Sequence, residues 1–221
     1  MSLPGFRILP NPPLASAEVL EAFTHVVTPH ISDNLGRHIG ARGLNRYNRT
    51  GKLVGTALTV KTRPGDNLLI YKALSMLEPG HVLVVDAQGD TNNAVIGELV
   101  KLYAQQRGCV GFVIDGAIRD VASFEDTPCY ARSVVHCGPY KTGPGEVNVP
   151  VSIGGMLINP GDVLVGDEDG LVAFSQADAA EVLRKAAQHA AHEEEVKAEI
   201  SSGAVHQSWI DKVLQQAGLA G

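Results

Sequence analysis

Positive charge is in short supply in this 221-residue sequence: eighteen Lys and Arg face twenty-four Asp and Glu, leaving a formal charge of -6. With no basic stripe to offset that balance, binding driven by a nucleic-acid backbone is not expected. Long apolar runs are missing too, since none reaches the roughly 18 residues that a membrane span requires. The start MSLPGFRILPNPPL lacks a charged segment leading into a long apolar one, so the chain reads as cytoplasmic, with no membrane partner. Cysteine is scarce and scattered. Cys109, Cys129 and Cys137 have neither the paired spacing of a zinc site nor the even number of a disulfide framework, and reduced, mostly buried thiols are expected. Gly143-Pro144-Gly145 and Gly154-Gly155 lack a Walker lysine and dinucleotide-binding spacing, so they read as turns. No long polar or low-complexity stretch divides the chain, and a single domain over 1–221 is expected.

What is present is a regular alternation of apolar patterns. Leu14, Val19, Leu20, Phe23, Val26 and Val27 predict an amphipathic helix over 14–27, ended by Thr28-Pro29. Ile31 to Gly36 reads as a turn, and the Arg- and Asn-rich stretch 37–52 as an exposed connection. The β-branched run 53–62 predicts a strand, and a helix follows over 68–77, ended by Pro79-Gly80. The run 81–86 reads as a buried strand with an acid at its C-terminal end, and 87–93 as a polar loop. A helix starting between Asn93 and Gly97 runs to Gln106, with Gly108 as its stop. Val110 to Ile114 predicts a second buried strand, leading into a loop over 115–120 and a short helix or turn through Phe124. Strand, helix and strand over 81–114 form a crossover unit, which makes the two strands parallel. Both tips then lie at the edge where open α/β folds bind ligands. Short β runs over 131–136, 147–153, 156–158, 163–166 and 171–174 make the second half β-rich. A long C-terminal helix is predicted over 176–200, with Trp209 and Ile210 in the tail beyond it.

Chemistry concentrates at the second tip. In Asp115-Gly116-Ala117-Ile118-Arg119-Asp120, opposite charges stand side by side at the mouth of a turn. The Arg119 guanidinium can grip a carboxylate through two hydrogen bonds, and the Asp120 carboxylate suits a hard divalent ion such as Mg²⁺. An Arg-Asp step can equally be a solvated or structural pair. Twenty residues separate Glu98 from Arg119, enough for a helix and a strand to bring the chain back to the same sheet edge. Glu98 can then share a metal and its waters with Asp120, or serve only as an acid favoured by the helix dipole. If Gly97-Glu98-Leu99 starts the helix, its backbone N–H groups offer a further site for an anionic group.

Taken in order, these motifs resemble the RraA-like family, which includes class II 4-hydroxy-4-methyl-2-oxoglutarate aldolases and regulators of ribonuclease activity. The resemblance rests on Gly97-Glu98-Leu99 and on the acidic-x20-Arg-Asp pattern from Glu98 to Arg119-Asp120. Ser32-Asp33, the run from Gly55 to Val60, Gly65-Asp66-Asn67, and the run from Pro160 to Gly170 match as well, and the likeness covers residues 16–200. It implies a compact α/β/α layered core of swivelling-domain type, assembled as homotrimers or homohexamers with active sites near subunit boundaries. It also implies a divalent-metal-dependent lyase that splits a 4-hydroxy-2-oxo acid to pyruvate and decarboxylates oxaloacetate through the same enolate. On that reading Asp120 holds Mg²⁺ or Mn²⁺, partly through water, and Glu98 supports the metal's waters. Arg119 binds the pyruvyl unit of the small 2-oxo acid, and the amides of Gly97, Glu98, Leu99 and Val100 receive its carboxylate. Within Glu193-Glu194-Glu195, Glu195 is the candidate for an acid that a neighbouring subunit lends to the metal, although such a run also suits a solvated helix face. The same family implies a second kind of function, a non-catalytic regulator that binds a ribonuclease or a helicase.

Overall fold

The β-branched runs pair at the centre of one large sheet, seen in a computed structural model that describes residues 3–203 and 207–219. In chain order the first elements are β1 (Phe6–Ile8), α1 (Ala17–Ala22), α2 (Thr28–Asn34), β2 (Asn45–Arg46), β3 (Leu53–Thr62), α3 (Leu68–Leu74) and β4 (His81–Asp86). Next come β5 (Ala94–Ile96), α4 (Glu98–Gln105), β6 (Gly111–Ile118), β7 (Cys129–Val134), β8 (Gly145–Val147), β9 (Val151–Ile153) and β10 (Met156–Ile158). The chain closes with β11 (Val163–Gly166), β12 (Leu171–Phe174), α5 (Ala179–Ser201) and α6 (Ser208–Gln216). Two compact units result, Met1–Ala186 and Ala187–Gly221, the first carrying the sheet and the second the later part of α5 together with α6. Among the described residues no helix is long and apolar enough to cross a membrane.

The main sheet runs β1-β8-β3-β4-β6-β7-β2, with β11 and β12 added beside β3 and β5 beside β6. β3, β4, β6 and β7 are mutually parallel, as the crossover reading requires. Because successive side chains alternate between faces, every residue of β4 is buried, but on opposite sides. Leu83 and Val85 join Phe112 and Ile114 in a core under α3 and α4, while Val82 and Val84 join Val113 in a core beneath the β9–β10 hairpin. A third cluster packs Phe23 and Ile31 of the N-terminal helical segment against Val163, Val165 and Phe174. The α/β class, the β-rich second half and the C-terminal helix all match the reading of the sequence.

Three of the local expectations change. Thr28-Pro29 starts a helix instead of ending one: Pro fits the first turn of α2, where its missing N–H is not needed. The cap for that helix comes from 139 residues away, where Asp167 accepts from the Thr28 N–H at 2.7 Å and from its hydroxyl at 2.6 Å. The stretch from Asp115 to Ile118 is strand and not loop, because its charge is paired. Asp115 takes Arg132 through Nε and through Nη2, the latter at 3.2 Å, and also the Gly154 N–H at 2.8 Å. Residues 147–153 form two strands, since Asn148 stands in left-handed backbone at φ 56°. Of the thiols, Cys109 and Cys129 are buried and Cys137 is exposed. Burial pushes the Cys109 thiol up to about 11, which fits a packing role better than a nucleophilic one.

His81, at the start of β4, is buried, accepts from the Glu78 N–H at 2.9 Å through Nδ1, and has no partner for Nε2 among the described residues. Burial pulls its pKa down despite the nearby Glu78 carboxylate. The unfolded chain therefore takes up the proton first, so this residue removes stability as pH falls through its ordinary value of about 6.5. Urea midpoints measured across that range should decline toward acid in the native protein and decline less in His81→Asn, which keeps an acceptor for Glu78 but cannot be protonated. Equal declines in the two proteins would exclude His81 as the cause.

Candidate active site

β5 and β6 lie side by side in parallel, with Ala94 opposite Ala117 and Ile96 opposite Ile118. The pairing continues one residue further, as the Arg119 N–H donates to the Ile96 carbonyl at 3.0 Å. From there the two chains diverge. One enters α4 through Gly97. The other turns sharply at Asp120, whose φ of 55° and ψ of 40° are left-handed, into a single 3-10 turn over Val121–Phe124. Asp is one of the few side-chain-bearing residues that tolerate this conformation, and such backbone gathers at functional sites.

This divergence brings the first turn of α4 onto Asp120. Asp120 Oδ2 accepts the Glu98 N–H at 3.1 Å. Gly97, the N-cap, has no side chain to cap the helix, and the first intrahelical bond is from the Lys101 N–H to the Gly97 carbonyl at 3.1 Å. The N–H groups of Leu99 and Val100 therefore have no acceptor among the described residues. Two unpaired amides at the positive end of a helix form an anion site. Beside them is the Arg119 guanidinium, whose Nε lies 3.8 Å from Asp120 Oδ2, too far for a hydrogen bond. The two side chains are 43% and 47% exposed, so both remain available to a ligand.

These groups face a cavity of about 200 Å³. Gly97, Leu99, Val100, Arg119 and Asp120 line it, as the sequence suggested. Glu98 does not: it is exposed, and its contribution to the junction is its main-chain N–H. Glu193, Glu194 and Glu195 belong to the second unit, where each pairs along its own helix. Their partners are His189 at 3.2 Å, Lys197 at 2.7 Å and His192 at 3.6 Å, respectively. Among the lining residues that escaped the sequence reading as site groups, three have polar side chains: Asn67, Tyr71 and Lys141. Lys141 Nζ lies 5.3 Å from the centre of the Tyr71 ring, within cation–π range, and adds a second positive charge to the cavity. Of the three, only Asn67 carried a signal, as part of Gly65-Asp66-Asn67.

The cavity suits a small anion. Two cations and a helix N-terminus attract a carboxylate, and Asp120 alone among the lining residues carries negative charge. Asp120 Oδ1 has no hydrogen-bond partner among the described residues, and no thiol or imidazole lines the wall. A carboxylate oxygen of this kind suits a hard divalent cation.

Comparison with known proteins gives a consistent picture. The RraA-like family profile (Aldolase/RraA) matches residues 28–173. A protein of Halalkalibacterium halodurans, provisionally named 4-hydroxy-4-methyl-2-oxoglutarate aldolase, is 35% identical over 204 residues, covering 90% of this chain and 97% of its own. An uncharacterized protein from Pseudomonas syringae pv. tomato superposes with a TM-score of 0.75 at 28% identity, covering 88% of this chain and 96% of its own. Streptomyces coelicolor RraAS2, described as an unusual member of the RNase ES inhibitor RraA family, also reaches 0.75. It is 26% identical and covers 83% of this chain and 98% of its own.

The junction is sterically tight at Gly97. A Cβ there would meet Asp120 Oδ2 at 2.5 Å and Arg119 Cγ at 2.9 Å. Gly97→Ala should therefore displace the Asp120 carboxylate, at a cost of about 1–3 kcal/mol in urea denaturation. Hydrogen exchange at the Glu98 amide should speed up in the same variant. Native stability with unchanged Glu98 protection would mean that the three groups do not pack this way.

Proposed function

The chain belongs to the RraA-like family, and from that premise we propose that it is a class II aldolase cleaving a 4-hydroxy-2-oxo acid, such as 4-hydroxy-4-methyl-2-oxoglutarate, to pyruvate and a second carbonyl product. The observation that carries this reading is the pair of unpaired N–H groups at Leu99 and Val100 beside the Arg119 guanidinium, in a cavity whose one acid is Asp120. As the bond between C3 and C4 breaks, the C4 hydroxyl gives its proton to a water in the cavity and becomes the second carbonyl, while the electron pair stays on the pyruvyl half as an enolate whose charge must be met until C3 takes up a proton. The Leu99 and Val100 amides hold the substrate carboxylate. Arg119 donates to the pyruvyl oxygens, turning the reacting bond toward Asp120 and adding positive charge where the enolate forms. Asp120, steadied by the Glu98 N–H, would hold Mg²⁺ or Mn²⁺, with Glu98 supporting it through water. Bound there, such an ion would supply Lewis acidity for the developing enolate.

Oxaloacetate reaches the same enolate by losing CO₂ in place of a carbonyl product, so decarboxylase activity accompanies the aldolase in this reading. We further place Glu195 of a neighbouring subunit as a supporting acid within a homotrimer or homohexamer. Leu99, Leu102 and Tyr103 support an interface there, since they leave an apolar stripe exposed on α4 beside the cavity.

Pyruvate release followed by a coupled assay, with and without chelator, tests the proposal. Mg²⁺ or Mn²⁺ should be required, and Asp120→Asn and Arg119→Ala should each lose about 100-fold or more in kcat/KM while remaining folded. Borohydride inactivation that depends on substrate but not on metal would trap an imine at Lys141 and replace the metal reading. No turnover of any 4-hydroxy-2-oxo acid or of oxaloacetate would turn the assignment to the family's regulators of ribonuclease activity.

A further inference from the structure

Asp66, in the motif Gly65-Asp66-Asn67 and next to the cavity-lining Asn67, is completely buried. Residues 137–143 supply part of the cavity wall through Gly138, Pro139 and Lys141. The early part of the segment is held by main-chain and amide contacts. The Ala94 N–H donates to the Cys137 carbonyl at 2.8 Å, and Asn93 Nδ2 to the Gly138 carbonyl at 2.7 Å. Tyr140 exchanges bonds with the motif itself, donating to the Gly65 carbonyl at 2.8 Å and accepting from the Asn67 N–H at 3.0 Å.

The later part is held mainly by one atom of Asp66, and Arg63 Nη2 also donates to the Thr142 hydroxyl at 2.9 Å. Asp66 Oδ2 accepts from the Thr142 N–H at 2.7 Å, the Gly143 N–H at 3.0 Å and the Thr142 hydroxyl at 3.2 Å, with Arg63 Nη2 at 3.3 Å. Asp66 Oδ1 takes the Leu68 N–H at 2.9 Å and so serves as the cap that Asn67 does not provide for α3. Burial works against this charge, but the amides of Leu68, Thr142 and Gly143 and the Thr142 hydroxyl outweigh it and hold the carboxyl below the usual range.

Two cations of the cavity depend on where this segment lies. Lys141 is part of it. Arg119 packs against it so closely that a Cβ on Gly138 would sit 2.9 Å from Arg119 Nη1. We propose that Asp66 is a positioning residue: its buried carboxylate latches segment 137–143 to the start of α3 and thereby sets where Arg119 and Lys141 meet the acid group of the substrate. The inference rests on the aldolase reading for the identity of that substrate, but not for the latch itself.

Asp66→Asn keeps the shape and exchanges one acceptor for a donor, and Thr142→Val removes a single hydroxyl should the first variant fail to fold. Three readouts apply to each: steady-state kinetics with oxaloacetate, calorimetric binding of oxalate in the presence of Mg²⁺, and hydrogen exchange at Tyr140, Thr142 and Gly143. In Asp66→Asn, KM and the oxalate Kd should rise about tenfold, and kcat should fall along with them because Arg119 also meets the developing enolate. Exchange should speed up in segment 137–143 and not in α4. Thr142→Val should shift the same quantities in the same direction by about two- to threefold. A loss confined to kcat or to the amount of folded protein, with KM and Kd unchanged, would reduce Asp66 to a structural residue and overturn the proposal. Should the native protein neither turn over 2-oxo acids nor bind oxalate, the aldolase reading fails, and exchange alone judges the latch. Faster exchange confined to the segment retains it, and unchanged exchange sinks it.

Discussion

One hydrogen bond, from the Glu98 N–H to the Asp120 carboxylate, joins the first turn of α4 to the tip of β6, and the candidate site is organised around it. It satisfies one of the orphan donors of the helix with a charged acceptor, a stronger arrangement than a neutral pair. It also requires glycine at 97, because the carboxylate occupies the space of a side chain. Left-handed backbone at Asp120 costs of order 1–3 kcal/mol, a strain that persists only where surrounding structure over-determines it. Here the parallel pairing of β5 with β6 and the Arg119 N–H bond to Ile96 provide that surrounding structure.

Long, strongly patterned elements were legible in the sequence. β3 and β4 fall where β-branched runs predicted them, and α3 and α4 differ from their expected spans only at the ends. What could not be read depends on partners far along the chain. Pro29 is compatible with both a helix start and a helix stop, and the deciding cap, Asp167, lies 139 residues from Thr28. Asp115 looks like a loop residue until Arg132 and Gly154 are seen to neutralise and bond it. β5 has three residues, too few for any periodicity to appear, yet it is the strand that aligns the site.

The site itself was half legible. Arg119 and Asp120 announce themselves by chemistry, and the glycine before Glu98 marks a helix start. Glu98 is different, because the structure engages its main chain while its side chain stays exposed. Lys141 and Tyr71 carry no local signal. They meet across the cavity only because a segment 76 residues from Asp66 folds back onto it.

The main chains of Arg119 and Glu98 are aligned by the β5–β6 register and the Ile96 carbonyl, together with the Asp120 carboxylate. A peptide register is indifferent to which apolar residues carry it, so β5 and the end of β6 can drift in composition while the reacting groups keep their spacing. Variation can then accumulate in the loops around the cavity without disturbing its centre. One scaffold of this kind can accommodate different ligands with its architecture unchanged.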